Sequence, residues 1–240
     1  PFGLIADDRA DFEKFQETAA AGDADAQYGL AMCYYDGTGA EKNWEKSFEW
    51  FLKAAEQGHV KAQYGLGVSF QKGKGVEKDE AKAVEWYIKA AEKDDPYAQS
   101  NLGYCYQKGI GVDADAKKAV YWYEKAAEQG NAKAQFNLAL CFEQGKGVRS
   151  NEKRAFVLIS KAAEQGLPEA QSHLGHYYCR GIGTARDSKK EFEWFSKAAE
   201  QGDVFAQGHL GYCYEEGEGI AKDDAKAFMW YGRADRKSVV

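Results

Sequence analysis

The side chains best suited to chemistry gather late in the chain. His173, His176 and Cys179 stand at i, i+3 and i+6, and His209 follows His173 by 36 residues. Two ligands three residues apart on a helix face converge on one metal ion. The i+6 residue has swung well round the helix, however, and His209 lies one helix spacing away, roughly 8–10 Å. These histidines therefore read as polar, semi-exposed surface residues, and no metal or other cofactor is expected. Ser69-x-x-Lys72 and Ser150-x-x-Lys153 have the nucleophile-and-base spacing of a serine acyl hydrolase. The Ser-Asp-Asn and Lys-Thr-Gly segments that would complete such a site are absent, as are a nucleophile elbow and a phosphate-binding loop.

Cys33, Cys105, Cys141 and Cys213 are separated by multiples of 36 residues. Two readings of them stand. A small buried residue at an inter-helix contact suits free cysteine. A disulfide ladder would need equivalent positions within about 7 Å, closer than packed helices bring them. Five cysteines is also an odd count. Reduced thiols are expected, which prefers a reducing compartment such as the cytoplasm and leaves a periplasmic or secreted location open.

The same period organises the whole chain. Ala26, Ala62, Ala98, Ala134, Ala170 and Ala206 each precede a Gln, and Ala62–Asp95 maps onto itself every 36 residues. A fixed period of this length marks a solenoid. The expected units are 26–61, 62–97, 98–133, 134–169, 170–205 and 206–240, within one solenoid spanning 1–240, preceded by a half unit over 1–25. Each unit contains two helices. In the first, Ala62, Leu66, Gly67 and Phe70 form one apolar stripe, as do Ala98, Leu102, Gly103 and Tyr106. A Gly-x-Gly ends it, for example Gly73 and Gly75. Val76, Val112, Val148 and Ile220 follow as residues that tuck the turn inward. Asn43, Asp79, Asp115, Asn151, Asp187 and Asp223 are N-caps for the second helix. That helix is expected to bury Ala83, Trp86, Tyr87 and Ala90, with Ala119, Trp122, Tyr123 and Ala126 as counterparts. It closes at Gly58, Gly130, Gly166 or Gly202, with Asp94 the exception. In the half unit Asp7 is the expected N-cap, Phe12 and Phe15 are buried, and Gly22 is the stop. No alternating run signals a strand. The fold class is all-α.

Composition narrows function. The net charge of -6 and the absence of a Lys/Arg run argue against nucleic acid as the partner. No apolar run approaches the roughly 20 residues of a membrane span. The sequence opens on Pro1 without a Met, and neither end carries an evident polar capping repeat, so further repeats are expected beyond one or both ends.

The string A-Q-x-x-L-G-x-x-Y-x-x-G-x-G-V-x-x-D-x-x-K-A-x-x-W-Y-x-K-A-A-E-Q-G, carried almost whole by Ala98–Gly130, resembles the Sel1-like repeat, a relative of the tetratricopeptide repeat. The resemblance covers Ala26–Asp235. It implies a right-handed α/α superhelix with first helices on the concave face, and adaptor work in complex assembly, secretion or host contact. A cysteine-rich branch of that family pairs two cysteines within each repeat and has been linked to penicillin binding; this chain lacks the second cysteine. Leu158-Ile159 and Glu191 depart from the pattern, and looser packing is expected around them.

The expected function is a protein–protein interaction scaffold, not an enzyme, that holds a protein or peptide segment along its concave groove. A β-lactamase-like hydrolase and a structural spacer are the alternatives. Positions 2, 6 and 9 after the repeat Ala point away from the buried stripe at 100° per residue. They place Tyr28, Met32, Tyr35, Tyr64, Val68, Tyr104, Gln107, Phe136, Leu140, Glu143, His176 and Tyr212 on the groove, centred on Tyr64, Tyr104 and Phe136. The competing reading is that these large residues fill gaps between repeats. The C-terminal Ser238-Val239-Val240 also resembles a ligand for pockets that capture a free carboxylate.

Overall fold

The structure is a computed structural model that describes residues 8–238, with side chains from Arg9 to Asp235. The expected N-cap Asp7 and the Val239-Val240 carboxyl end lie outside the described residues. Among those residues thirteen helices alternate in two classes and there is no strand. First helices are α2 (Ala24–Asp36), α4 (Val60–Lys72), α6 (Pro96–Lys108), α8 (Ala132–Gln144), α10 (Pro168–Arg180) and α12 (Val204–Glu216). Second helices are α1 (Asp8–Ala20), α3 (Trp44–Glu56), α5 (Glu80–Ala91), α7 (Ala116–Glu128), α9 (Glu152–Glu164), α11 (Ser188–Glu200) and α13 (Asp224–Ser238). The fold is an all-α, tetratricopeptide-like solenoid of helix-turn-helix repeats. The helices form two compact units, one ending at Ala126 and one beginning at Ala127.

Each helix starts where its cap residue dictates. The six Asx residues named above accept from backbone N–H groups in the first turn of the second helices, as Asn43 does from Lys46 at 2.8 Å. First helices have caps that the sequence reading missed: Asp23, His59, Asp95, Asn131 and Asp203 each accept from the N–H of the repeat Ala. In the fifth repeat Leu167 stands there without a side-chain bond, and Pro168 opens the helix instead.

The expected stripe is buried except for its closing aromatic in the last two repeats, Tyr178 and Tyr214, which are half-buried, and the small residue in it meets an aromatic ring. A Cβ on Gly67 would lie 2.4 Å from the Tyr87 ring, and one on Gly103 2.7 Å from Tyr123. Where Ala139 replaces Gly, the facing residue is Ile159, so the departure at Leu158-Ile159 is a matched pair: Ala139 and Ile159 are both fully buried. Glu191 is also buried, and its carboxyl is hydrogen-bonded with the Cys179 thiol, which corrects the looser packing expected there. The second Gly of each Gly-x-Gly does more than end a helix. A Cβ on Gly75 would sit 2.0 Å from the Trp44 carbonyl oxygen, so this turn lies against the start of the preceding second helix.

Three further expectations need correction. Trp86 and Trp122 are half-buried, because their outer faces carry Lys89 and Lys125; Val84 and Val120 take the core places instead. Val76, Val112 and Val148 are half-buried and Ile220 is exposed, since the Gly-x-Gly turn runs along the surface. Phe12 and Phe15 are likewise only half-buried, Phe12 packing edge-on to Tyr34.

A chain of buried amides joins the repeats. The Gln after each repeat Ala is buried, and its Nε2 donates to the last-turn Ala carbonyl of the preceding helix, as Gln63 does to Ala55 at 3.2 Å. Its Oε1 needs a donor. Gln57 supplies one to Gln27, Gln165 to Gln135 and Gln201 to Gln171, at 2.7–2.8 Å. At the corresponding place after Gln63 the sequence has Lys93, whose Nζ donates to the Gly58 carbonyl, and Gln63 Oε1 has no partner. Gln207 Oε1 also has no partner among the described residues.

Candidate functional site

None of the twelve expected groove residues is buried, whereas the Ala, Leu and small residue of the stripe on the same helices are. In the first unit Tyr104 is exposed at 40%, and Tyr28, Met32, Tyr35, Tyr64, Val68 and Gln107 are half-buried. The half-burial has a cause. Tyr28 stacks on His59 at the start of the next first helix, with ring centroids 4.6 Å apart, and Tyr64 lies 6.0 Å from Tyr97. Met32 and Tyr35 lean on the cluster around Phe51 and Leu66. These residues therefore bridge neighbouring first helices and keep one edge in solvent. Tyr97, 60% exposed, belongs to the same surface and was missed. The signal for it was faint: the residue before the repeat Ala is charged in four repeats and aromatic only at Tyr97 and Phe205.

In the second unit Tyr212 is exposed at 46%, and Phe136, Leu140, Glu143 and His176 are half-buried. Phe136 meets His173 edge-on at 5.1 Å, and Phe205, 55% exposed, meets His176 and His209. The histidines thus pack against rings instead of converging on one point. Burial holds the pKa of His173, His176 and His209 below the ordinary histidine value, so they are neutral near pH 7.

Gln107 and Glu143, expected on the polar rim, are hydrogen-bonded to core hydroxyls. Tyr123 Oη donates to Gln107 Oε1 at 3.1 Å, as Tyr87 does to Gln71 and Tyr231 to Glu215. Burial and its bond to Glu215 push the Tyr231 hydroxyl up to about 12. Where the second helix has Phe51 or Phe195 instead, this rim position is Tyr35 or Cys179. Glu143 faces Ile159, which has no hydroxyl, and accepts from Tyr177 of the next repeat at 2.9 Å.

Two cavities of about 430 Å³ open beside this surface in the second unit. One lies between Phe136 and Phe205, with Glu143, Glu169 and Asp203 on its walls. The other is formed at Gly208, where three other repeats have an aromatic and two a serine, and Arg180 and Arg186 line it. A cavity of about 530 Å³ in the first unit is lined by Tyr28, His59, Asp25 and Lys61. Ser69, of the first Ser-x-x-Lys, is buried and its hydroxyl donates to Gly65 of its own helix. None of the five cysteines is in a disulfide, and burial raises the Cys105 thiol to about 11. No helix among the described residues is long and apolar enough to cross a membrane.

A search of curated proteins finds no match. Among solved structures, the chain is similar to c5321 of uropathogenic Escherichia coli, described as a protective antigen displaying an SLR fold. Identity is 37% over 94% of this chain with a TM-score of 0.87, and the chain spans 48% of that protein. A Sel1 repeat protein of Oxalobacter formigenes is 34% identical, with 95% of this chain and 97% of that one covered and a TM-score of 0.82. The immunity protein Pa5087 of Pseudomonas aeruginosa, at 23% identity, 89% of this chain, 81% of its own and a TM-score of 0.54, shares the fold. The Sel1 repeat family matches at residues 24–59, 60–95, 96–131, 132–167, 168–203 and 204–234, and with the buried stripes, caps and glycines in register over that whole span, the chain belongs to the Sel1 repeat family.

Proposed function

We propose that the protein is an interaction scaffold whose first-helix face holds a segment of a partner protein. Sel1 repeat solenoids commonly serve as protein-interaction scaffolds. The observation that carries the reading here is the row of first-helix aromatics left in solvent: Tyr97 and Tyr104 in one unit, Phe205 and Tyr212 in the other. Exposed aromatic side chains beside polar neighbours are the anchors that interfaces use, since they give large contact area at small entropic cost. The half-buried Tyr28 and Tyr64 accompany the first pair on the first-helix face of their unit, and Phe136 accompanies the second pair in its own. The expected centre on Tyr64, Tyr104 and Phe136 widens to include Tyr97 and Phe205.

The test compares capture by the intact chain with capture by Tyr97→Ala and Tyr104→Ala variants. Each truncation is expected to weaken partner binding by about 1–3 kcal/mol and to leave the melting temperature close to the parent. Tyr64→Ala is expected to lower both, because its ring also packs on Tyr87. If Tyr97→Ala and Tyr104→Ala capture the same partners with the same affinity, this face is not the binding surface.

A further inference from the structure

Resting on that reading, the second unit specifies one feature of the partner. We infer that the cavity between Phe136 and Phe205 takes an arginine side chain from the bound segment.

Its walls come from three successive first helices. Phe136 and Glu143 are on α8, Glu169 and His176 on α10, and Phe205 on α12, with Asp203 at the cap of α12. At about 430 Å³ it falls in the range of ligand pockets and has room for a long side chain with adjoining backbone. No lysine or arginine lines it. Its three carboxylates are unequally engaged. Glu143 Oε2 accepts from Tyr177, and Asp203 Oδ1 accepts from Ala206 N–H and Ser172 Oγ. The second oxygen of each remains for a ligand, and Glu169 makes no side-chain bond among the described residues. The histidines add no positive charge near pH 7.

A pocket with two phenyl walls and three carboxylates attracts a cation that is also flat. Guanidinium meets both demands, because it stacks on aromatic faces and pairs with carboxylates through a fork of N–H donors. An ammonium meets only the second. The other cavities differ in charge: one has Arg180 and Arg186 on its walls, and the first-unit cavity has Lys61, with its single carboxylate, Asp25, held by His59 at 3.3 Å. Selection for arginine is therefore local to the Phe136–Phe205 cavity.

The experiment is a selection of short random peptides displayed on phage against the intact chain. The peptides obtained are then measured against a Glu143→Gln/Glu169→Gln/Asp203→Asn variant. These changes keep the acceptor for Tyr177 and the α12 cap, so the fold is retained, which circular dichroism checks. Selected peptides are expected to share an arginine, and their affinity is expected to fall roughly tenfold or more in the variant. Replacing that arginine by lysine is expected to weaken binding to the parent. Peptides that bind but share no arginine, or that bind the variant as tightly, overturn the arginine assignment and leave the scaffold reading standing. Failure to select any binder at the first-helix face counts against both.

Discussion

Replacing Lys93 with Gln tests whether the buried amide chain contributes to stability. Gln63 is 5% exposed and its Oε1 has no partner, while the equivalent oxygens of Gln27, Gln135 and Gln171 each receive a bond from a Gln 30 residues on. Gln201 shows how one amide serves two acceptors: its Nε2 donates to Gln171 Oε1 at 2.7 Å and to the Gly166 carbonyl at 3.1 Å. Lys93 reaches only the matching carbonyl, that of Gly58. An unsatisfied buried acceptor costs about 1–3 kcal/mol. Lys93→Gln supplies its donor and keeps the Gly58 bond, so a net gain of about 1 kcal/mol is expected, seen as roughly 2–4 °C in the melting temperature of a chain this long. The opposite change, Gln201→Lys, leaves Gln171 Oε1 unpaired and is expected to cost a similar amount. Thermal unfolding followed at 222 nm by circular dichroism reads both. The reasoning fails if Lys93→Gln gains nothing and Gln201→Lys loses nothing.

Three further outcomes follow from the geometry. Gly75→Ala puts a methyl against the Trp44 carbonyl at a backbone φ of +72°, and is expected to cost well over 1 kcal/mol in chemical denaturation, more than Gly208→Ala, whose Cβ meets open space. All four histidines have pKa values lowered by burial. The unfolded chain then binds more protons just below pH 6.5, so stability present above that pH is lost as it falls through the folded values. Glu191 and Asp95, whose pKa values are raised by burial, act with the opposite sign just above the ordinary carboxylate range. The melting temperature is expected to fall between pH 7 and about pH 6, with net proton uptake on unfolding by calorimetry; a flat or rising curve there contradicts the assignment. Asp94 is the only non-glycine at positive φ among the described residues, and Asp94→Gly is expected to gain about 0.5–1 kcal/mol in the same denaturation assay, less whatever its contacts with Gln99 and Lys125 contribute.

The period made much of the fold legible from sequence. Ala, Leu, Gly and an aromatic recur at helical spacing, and the Asx and Gly residues that bound the second helices are strong signals by type alone. What stayed hidden depends on partners far along the chain. Gln reads as a surface residue, yet its neighbours turn it into a buried link between helices. Trp86 reads as core by size, yet Lys89 covers its outer face. First-helix caps vary among Asp, His, Asn and Leu, so no single residue type announces them. The solvent side of the first helices was half legible: periodicity kept the twelve expected residues off the core, but how deeply Tyr28 or Tyr64 sinks between helices is fixed by what the next repeat presents.

The hydroxyl of Tyr177 bears on how such a chain is assembled from copies. Tyr87 and Tyr123 find their acceptors 16 residues earlier, inside their own repeat, so those repeats can be duplicated or excised as single cassettes without leaving a hydroxyl stranded. Tyr177 is fully buried where most repeats have a cysteine, and its acceptor, Glu143, belongs to the repeat before. That carboxylate is available only because Ile159 makes no demand on it. The two repeats, 132–167 and 168–203, are therefore tied by a side-chain bond that exchanging either one alone would break. A recombination between them would keep the backbone in register and still bury a phenol with nothing to bond to. The smallest unit that can be exchanged is one repeat in some parts of the chain and two in this one.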